Sequence, residues 1–433
     1  MANIVKNIGG VTKEIVTQLY NEASVVKGVQ RRYSEQFGVE GAKIGDVLNV
    51  KYLDNPPITR GPVMQDYPIV ERTIPVQILK INQYQASIKY NSADYKLSIE
   101  SFTEKRNLKQ TARKLANELD ADCARLFMQF PMTTGTLNTT PGTAGGVGNL
   151  MSTAPNIYTN AGAIMTAYSA PTGERTMALN PAASGLSVSS LAGLQNPASE
   201  ISRQYRSGRM GAETLGFDFI ENVNLPSFTT GTRSINAGIM NGNTADGATT
   251  LNLTGLGANA TIKVGEHFSI AGVNLVNPMS QLTQGYLQQF AVLADVTADA
   301  AGSATVSISP SIILSNPESM IGGSMVRRYP LLPINVNGTV DALPLAGAAI
   351  TFSGAASTSG VFNCGFHKDA IVMTAVQLPT YEGNDKCAQE NFEGFNVRVW
   401  RQSDIKNDSL YCRVDTIVVF TMIRKELGII VWG

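Results

Sequence analysis

Apolar and polar positions along this chain follow two periods that alternate in blocks. Ile15, Val16, Leu19 and Tyr20 fall at helical spacing within residues 11–22, which predicts a short amphipathic helix leading into a mixed, basic connector at 27–37. From Val47 the period drops to two. Leu48, Val50 and Tyr52 share one face until Asn55-Pro56-Pro57 breaks the strand. After a loop containing Arg60, Asp66 and Pro68, the positions Val70, Arg72, Ile74, Val76 and Ile78 alternate with Glu71, Thr73, Pro75 and Gln77. Two long strands with a polar, proline-bearing tip predict a projecting β-loop.

The strongest periodicity follows. Leu108, Ala112, Leu115, Leu119, Cys123, Leu126 and Phe130 recur in steps of three and four, with Lys105, Arg106, Lys109, Arg113, Lys114, Glu118 and Asp122 on the other face. Ser101 with Glu104 offers a capping box, and Pro131 stops the run. At 1.5 Å per residue such a helix is about 45 Å long, more than a compact domain usually needs. Residues 132–160, rich in Gly, Thr, Ala and Asn, read as a flexible loop. A strand at 175–179 closed by Asn180-Pro181, a small-residue helix through Leu194, a helix at 200–205 and a strand at 216–220 ending at Leu225-Pro226 give an α/β stretch.

From about Ser227 the runs become short and β-like (249–253, 267–273, 290–296, 304–308), separated by Gly, Asn and Asp clusters, which predicts a small all-β module inserted in the chain. The end is strand-dominated, at 371–376, 395–400, 415–421 and 427–431. The fold class is therefore α+β.

Composition narrows the function. The 433 residues, 43% of them hydrophobic, can bury a large core. Only 16% are charged, against about 25% in an average soluble protein, which fits a subunit that covers much of itself with its own copies and equally a β-rich monomer. Lys+Arg and Asp+Glu both number 34, so the global basic excess of a dedicated nucleic-acid binder is missing. Residues 1–130 are the charged, mildly basic part, with 18 Lys+Arg and 14 Asp+Glu. Cys123, Cys364, Cys387 and Cys412 form no CxxC pair and read as free thiols in a reducing cytosol. Residues 1–16 show no signal-peptide apolar run, and the longest apolar stretches reach about eight residues where about 20 span a bilayer. A soluble chain with no membrane partner is expected.

Catalytic chemistry finds little footing. His267 and His367 are the only histidines, so any Ser/His/Asp or Cys/His system would need one of them. His367-Lys368-Asp369 lacks the spacing and second copy of a phosphodiesterase motif and reads as a turn into the strand at Ile371. His267 beside Phe268 reads as a structural histidine. Residues 142–148 (GTAGGVG) lack the Lys-Ser/Thr of a phosphate-binding loop. Neither a metal site nor a cofactor is expected. The stripe Lys105, Arg106, Lys109, Arg113 and Lys114 suits either packaged nucleic acid or an acidic loop of a neighbouring subunit; alternatively it is a solvated face paired with Glu104 and Glu118.

In this order, the segments QTARKLANELDADCARLF (110–127), MALNP (177–181), GFDFIENVNLP (216–226), GEHFSIAGVNLVNP (265–278), FHKDAIVM (366–373) and RVDTIVVFTMIRKELGIIV (413–431) resemble the major coat proteins of tailed bacteriophages. The likeness is to the short-tailed group whose coat carries an insertion domain, and colinearity over nearly the whole chain gives it weight. The resemblance implies the coat fold first known from Hong Kong 97 phage. Its parts would be an N-terminal arm (1–45), an extended β-loop (46–95), a peripheral domain with a spine helix (96–150) and the first part of an axial domain (151–227). An immunoglobulin-like or barrel-like insertion (228–345) and closing axial and peripheral strands (346–433) would complete it.

It further implies a shell protein without catalytic residues. The subunit would assemble with itself into pentamers and hexamers of an icosahedral head, by way of a scaffolded procapsid made in the host cytoplasm. Its implied partners are a scaffolding protein, a portal protein, enclosed double-stranded DNA and a decoration protein. Arg60, Asp66, Arg72, Lys105, Arg106, Lys109 and Arg113 are the candidate intersubunit contacts. An encapsulin-like nanocompartment shell and a hydrolase with a β substrate-binding module are the rival readings.

Overall fold

A computed structural model of the chain describes residues 8–31, 47–53, 71–77, 79–91, 100–135, 137, 157–191, 214–233, 238–315, 319–321, 324–326, 338–380 and 386–432. They fall into two compact units, each assembled from segments distant in sequence. One comprises 1–50, 74–124 and 371–423, and the other 51–73, 125–370 and 424–433. The expected 200–205 helix and the tip of the β-loop lie outside the described residues, whereas the flanking strands Val47–Leu53 and Glu71–Gln77 pair with each other.

The first unit is built on an antiparallel sheet in the order Ile371–Val376, Ser409–Met422, Phe395–Asp404, Lys386–Phe392. Gln83–Asn91 also pairs along Ser409–Met422, from Asn91 opposite Ser409 to Gln83 opposite Ile417. The long central strand owes its length to Val414, Ile417, Val418 and Val419, β-branched side chains that are all buried. A two-residue turn, Glu393-Gly394, joins the last two strands with both residues at positive φ (51° and 85°), a geometry whose twist matches that of a hairpin and suits glycine.

Helix α1, Ile8–Glu22, buries Val11, Ile15, Val16 and Leu19 and packs on the Lys386–Phe392 and Phe395–Asp404 strands. Tyr20 meets Phe392 and Phe395 edge-on, with ring centroids 5.5 and 6.2 Å apart. Helix α2, Glu100–Arg125, is 26 residues and about 39 Å long. Its buried stripe is Ala112, Leu115, Ala116, Leu119 and Cys123. A 3-10 turn, Leu126–Gln129, ends the run ahead of Pro131.

The second unit holds a five-stranded sheet in the order Met132–Thr134, Gly428–Val431, Asn363–His367, Arg175–Leu179, Asp218–Glu221, with the outer pairs parallel and the inner ones antiparallel. At Gly428 a Cβ would lie 2.2 Å from the Phe130 ring, so only glycine lets the two approach. Two helices accompany this sheet. Helix α3, Ile157–Ala167, begins inside the stretch expected to be a loop. Its C-terminal turn is held by buried Arg175, whose guanidinium donates to the carbonyls of Gly162, Ala170 and Pro171 at 3.2, 2.7 and 2.6 Å. Helix α4, Pro181–Leu191, has proline at its first position and Asn180 accepting the Ala183 N–H at 2.6 Å, a standard N-terminal cap.

The same unit contains a six-stranded sheet in the order Ile350–Phe352, His267–Val276, Thr283–Val292, Ala304–Ile312, Ala248–Thr254, Ile239–Met240. Its ends meet, because Met240 N–H donates to Ala348 O (3.0 Å) and Ile350 N–H to Gly238 O (2.9 Å). The sheet thus closes into a small barrel with no free edge. Phe268, Phe290 and Phe352 fill it with Leu253, Val306 and Ile350. One strand corrects the sequence reading: in place of the run at 290–296 the strand is Thr283–Val292, which starts seven residues earlier and ends four earlier.

Candidate assembly surfaces

Of the seven predicted contact residues, Arg60 and Asp66 lie outside the described residues, and Arg72 stands on the Glu71–Gln77 strand. Lys105 and Arg106 are in the first half of α2. Lys109, Arg113 and Lys114 are exposed on α2, with Lys109 and Arg113 one turn apart. Arg113 has a carboxylate near it, but that of Glu22 in α1 at 3.5 Å rather than that of Glu118. With the arginine 63% exposed, this pair holds the side chain weakly and leaves it free for a partner. Among the described residues two isoleucines are nearly bare: Ile81 within the Lys80–Asn82 turn, and Ile405, 98% exposed, at the tip between the Phe395–Asp404 and Ser409–Met422 strands. The tip is stiffened by Asp404, which accepts from Lys406 N–H (2.9 Å) and Asn407 Nδ2 (2.7 Å).

The histidines are structural in their contacts. His267 is buried, and its Nε2 lies 2.6 Å from Phe130 O, so that nitrogen carries the proton and donates. Burial pushes its pKa down to about 4, against the smaller opposing effect of backbone hydrogen bonds, and the ring is neutral near pH 7. His367 ends the Asn363–His367 strand and accepts the Asp369 N–H at 3.2 Å, within the 3-10 turn Lys368–Ala370 that leads into Ile371–Val376. Burial lowers its pKa, and the Asp369 and Glu174 carboxylates oppose this. The four cysteines are free, three of them buried. Among the described residues no group of His, Cys, Asp or Glu is placed to hold a metal ion, and no helix is long and apolar enough to cross a membrane.

Residues that sequence reasoning did not single out fix the barrel to the five-stranded sheet and its helices. The Thr283–Val292 strand supplies Gln289, whose Oε1 accepts the Thr133 N–H at 2.6 Å. Asn277 donates to Ala167 O (2.8 Å) and accepts from Ser169 Oγ (2.7 Å). Below them Trp432 packs with Phe228 and Phe362, with His267 edge-on at 6.3 Å.

A second set of bonds closes the neck where the chain enters and leaves the barrel. Arg233 and Glu266, both 1% exposed, meet at 2.5 Å, and the guanidinium lies 4.0 Å over the Phe352 ring while donating to Gly354 O at 2.8 Å. Glu266 Oε1 also accepts the N–H groups of Gly231 (2.7 Å) and Lys263 (2.9 Å). Burial pushes the Glu266 carboxyl above its ordinary range, and Arg233 with these amides acts in the opposite direction. Gly231 is required here, since a Cβ would sit 1.9 Å from Thr261 O. The only sequence hint was a pair of charges, Arg233 and Glu266, inside runs otherwise rich in Gly, Thr and apolar residues.

The family described as "P22 coat protein - gene protein 5" matches residues 79–433. A search of curated proteins found no match. Similar solved structures include a chain of Mycobacterium phage Che8, 12% identical, covering 94% of this chain and 90% of that one with a TM-score of 0.45. A chain of the bacteriophage PhiM1 mature capsid is 12% identical, with coverages of 90% and 83% and a TM-score of 0.40. The CUS-3 coat protein I-domain is 27% identical over 28% of this chain and 96% of its own length, with a TM-score of 0.18.

Proposed function

We propose that this chain, which belongs to the P22 coat protein family, builds an icosahedral phage head from pentamers and hexamers and encloses double-stranded DNA. As a coat protein of α+β coat fold it is a component of the virion shell; the capsomer types and the DNA are the further step. The observation that carries it is the family match, which runs from Ile81's turn through both compact units to the last strand.

One sequence that fills both five-fold and six-fold positions needs contacts that tolerate small rotations. The β-loop bearing Arg60, Asp66 and Arg72 is the element assigned to reach over a neighbour. The α2 stripe of Lys105, Arg106, Lys109 and Arg113 is assigned to DNA, without sequence specificity, or to an acidic neighbouring loop. The division into arm, β-loop, peripheral domain, axial domain and insertion is carried over as part of the same reading. Many modest interfaces then add by multivalency. A scaffolding protein during assembly, a portal protein and a decoration protein complete the proposed partners.

The deciding experiment is electron microscopy of the protein expressed with and without a scaffolding partner, with the contents of purified particles identified. Closed uniform shells are expected, with DNA in particles from infected cells. Enzyme cargo in place of DNA would favour a nanocompartment, and a persistent monomer under every condition would overturn the proposal.

A further inference from the structure

Beyond assembly itself, the first unit contains a device that fixes its N-terminal segment. The chain passes from α1 to the sheet through a short 3-10 turn, Val25–Gly28, where Val25, Val26 and the following Val29 are fully buried. A turn of this kind leaves amides at its start without partners of its own, and here Ser24, the preceding residue, makes no side-chain cap. The cap comes from elsewhere. Asp120 on α2 accepts the Ser24 N–H (2.9 Å) and the Ser24 hydroxyl (3.0 Å) on one oxygen and the Val26 N–H (3.0 Å) on the other. Its side chain is 1% exposed.

Aspartate is a poor interior residue for a helix, and a buried carboxylate is costly unless hydrogen-bonded. Here hydrogen bonds are supplied by Ser24 and Val26, 96 and 94 positions earlier in the chain. Past the turn, Gln30 joins the sheet edge, its N–H donating to Ile371 O (3.0 Å) and its carbonyl accepting the Met373 N–H (2.9 Å). Arg31 donates to Glu393 O at 2.8 Å.

We propose that Asp120 is a latch: a carboxylate that caps the N-terminal segment from a distant part of the same chain, so that residues 8–31 dock on the sheet, or leave it, as one piece. If the segment lifts, the carboxylate and the amides it serves all reach water. If the segment stays down without the carboxylate, the buried Val26 amide and the part-buried Ser24 amide lose their acceptor. The latch thus couples α1, the turn and the added strand residue into one two-state element, of the kind a coat chain can set differently in different surroundings.

Hydrogen exchange of the full-length unassembled chain, resolved by peptide, tests this. Asp120→Asn keeps the shape but loses one accepting oxygen. It is expected to speed exchange across 8–31 by roughly 10- to 100-fold while Phe395–Asp404 and Ser409–Met422 stay within about 2-fold. Ser24→Ala, which removes the hydroxyl bond and keeps the Ser24 N–H bond, is expected to give the same pattern at about 3-fold and decides the matter alone if Asp120→Asn does not fold. Equal acceleration in the segment and in the strands would make Asp120 an ordinary stability residue and overturn the proposal, as would unchanged exchange in the segment.

Discussion

The sharpest consequence of the packing around His267 is an acid-sensitive step in stability. Its folded-state pKa is about 4, below the ordinary 6.5, because burial penalises the charged ring by more than the backbone hydrogen bonds to Phe130 and Gly265 favour it. The unfolded chain takes up that proton first. The contribution of the neutral histidine is therefore fully present above about pH 6.5 and is lost as the pH falls toward about 4. Between about pH 7 and about pH 4.5 the loss amounts to about 2 kcal/mol, a sizeable part of a typical domain's stability. His267→Gln retains an N–H able to reach Phe130 O and cannot titrate. Urea unfolding of the unassembled subunit, followed by fluorescence of Trp432, which lies against the histidine, should show the wild type losing about 2 kcal/mol more than the variant over that range. Parallel losses in the two proteins, leaving only the carboxylates common to both, would refute the assignment of the acid step to His267.

Other perturbations probe other parts of the molecule. Glu266→Gln leaves Arg233 buried without its counter-charge and should cost about 3–5 kcal/mol in chemical denaturation, whereas removing both charges with Arg233→Met and Glu266→Leu should cost clearly less; equal losses would contradict the ion-pair account. Gly428→Ala drives a methyl into the Phe130 ring and should cost about 1–3 kcal/mol, partly recovered by adding Phe130→Leu; a variant as stable as wild type would show that the ring yields freely. Arg60→Glu and Asp66→Lys should lower the yield of closed shells seen by electron microscopy while leaving the subunit's circular dichroism and melting unchanged, and normal shells from both would count against the β-loop's role.

What could be read from the sequence follows from how each element is solvated. Helix α2 was legible because one face is apolar and the other charged over its full length, and Ile371–Val376 because it is buried on both faces and therefore apolar throughout. The Thr283–Val292 strand was not: its first half exposes Tyr286 and Leu287, Gly285 interrupts it, and Gln288 and Gln289 turn toward hydrogen-bond partners rather than a greasy core. Helix α3 was hidden by its small and polar residues, and it is secured by Arg175, a residue that sequence periodicity places in the following strand. The same limit applies to Asp120 and to the Arg233–Glu266 pair. Their types and positions were visible, but the partners that justify burying them come from segments that only the fold brings together. Of the predicted contact residues, the structure establishes exposure for Lys109 and Arg113, because a charged face on a helix is a local property.

The strands Ser227–Thr229 and Ser359–Val361 lie side by side, Thr229 opposite Ser359 and Ser227 opposite Val361. Besides the side-chain bonds of Gln289 and Asn277, the barrel's chain consequently enters and leaves through a two-strand socket whose strands are about 5 Å apart, the spacing of any neighbouring strands. To a protein engineer that is a cassette. A short turn, or a foreign domain whose own termini lie close together, could replace everything beyond the socket without rerouting the five-stranded sheet. Each subunit of a shell would then carry one addressable graft.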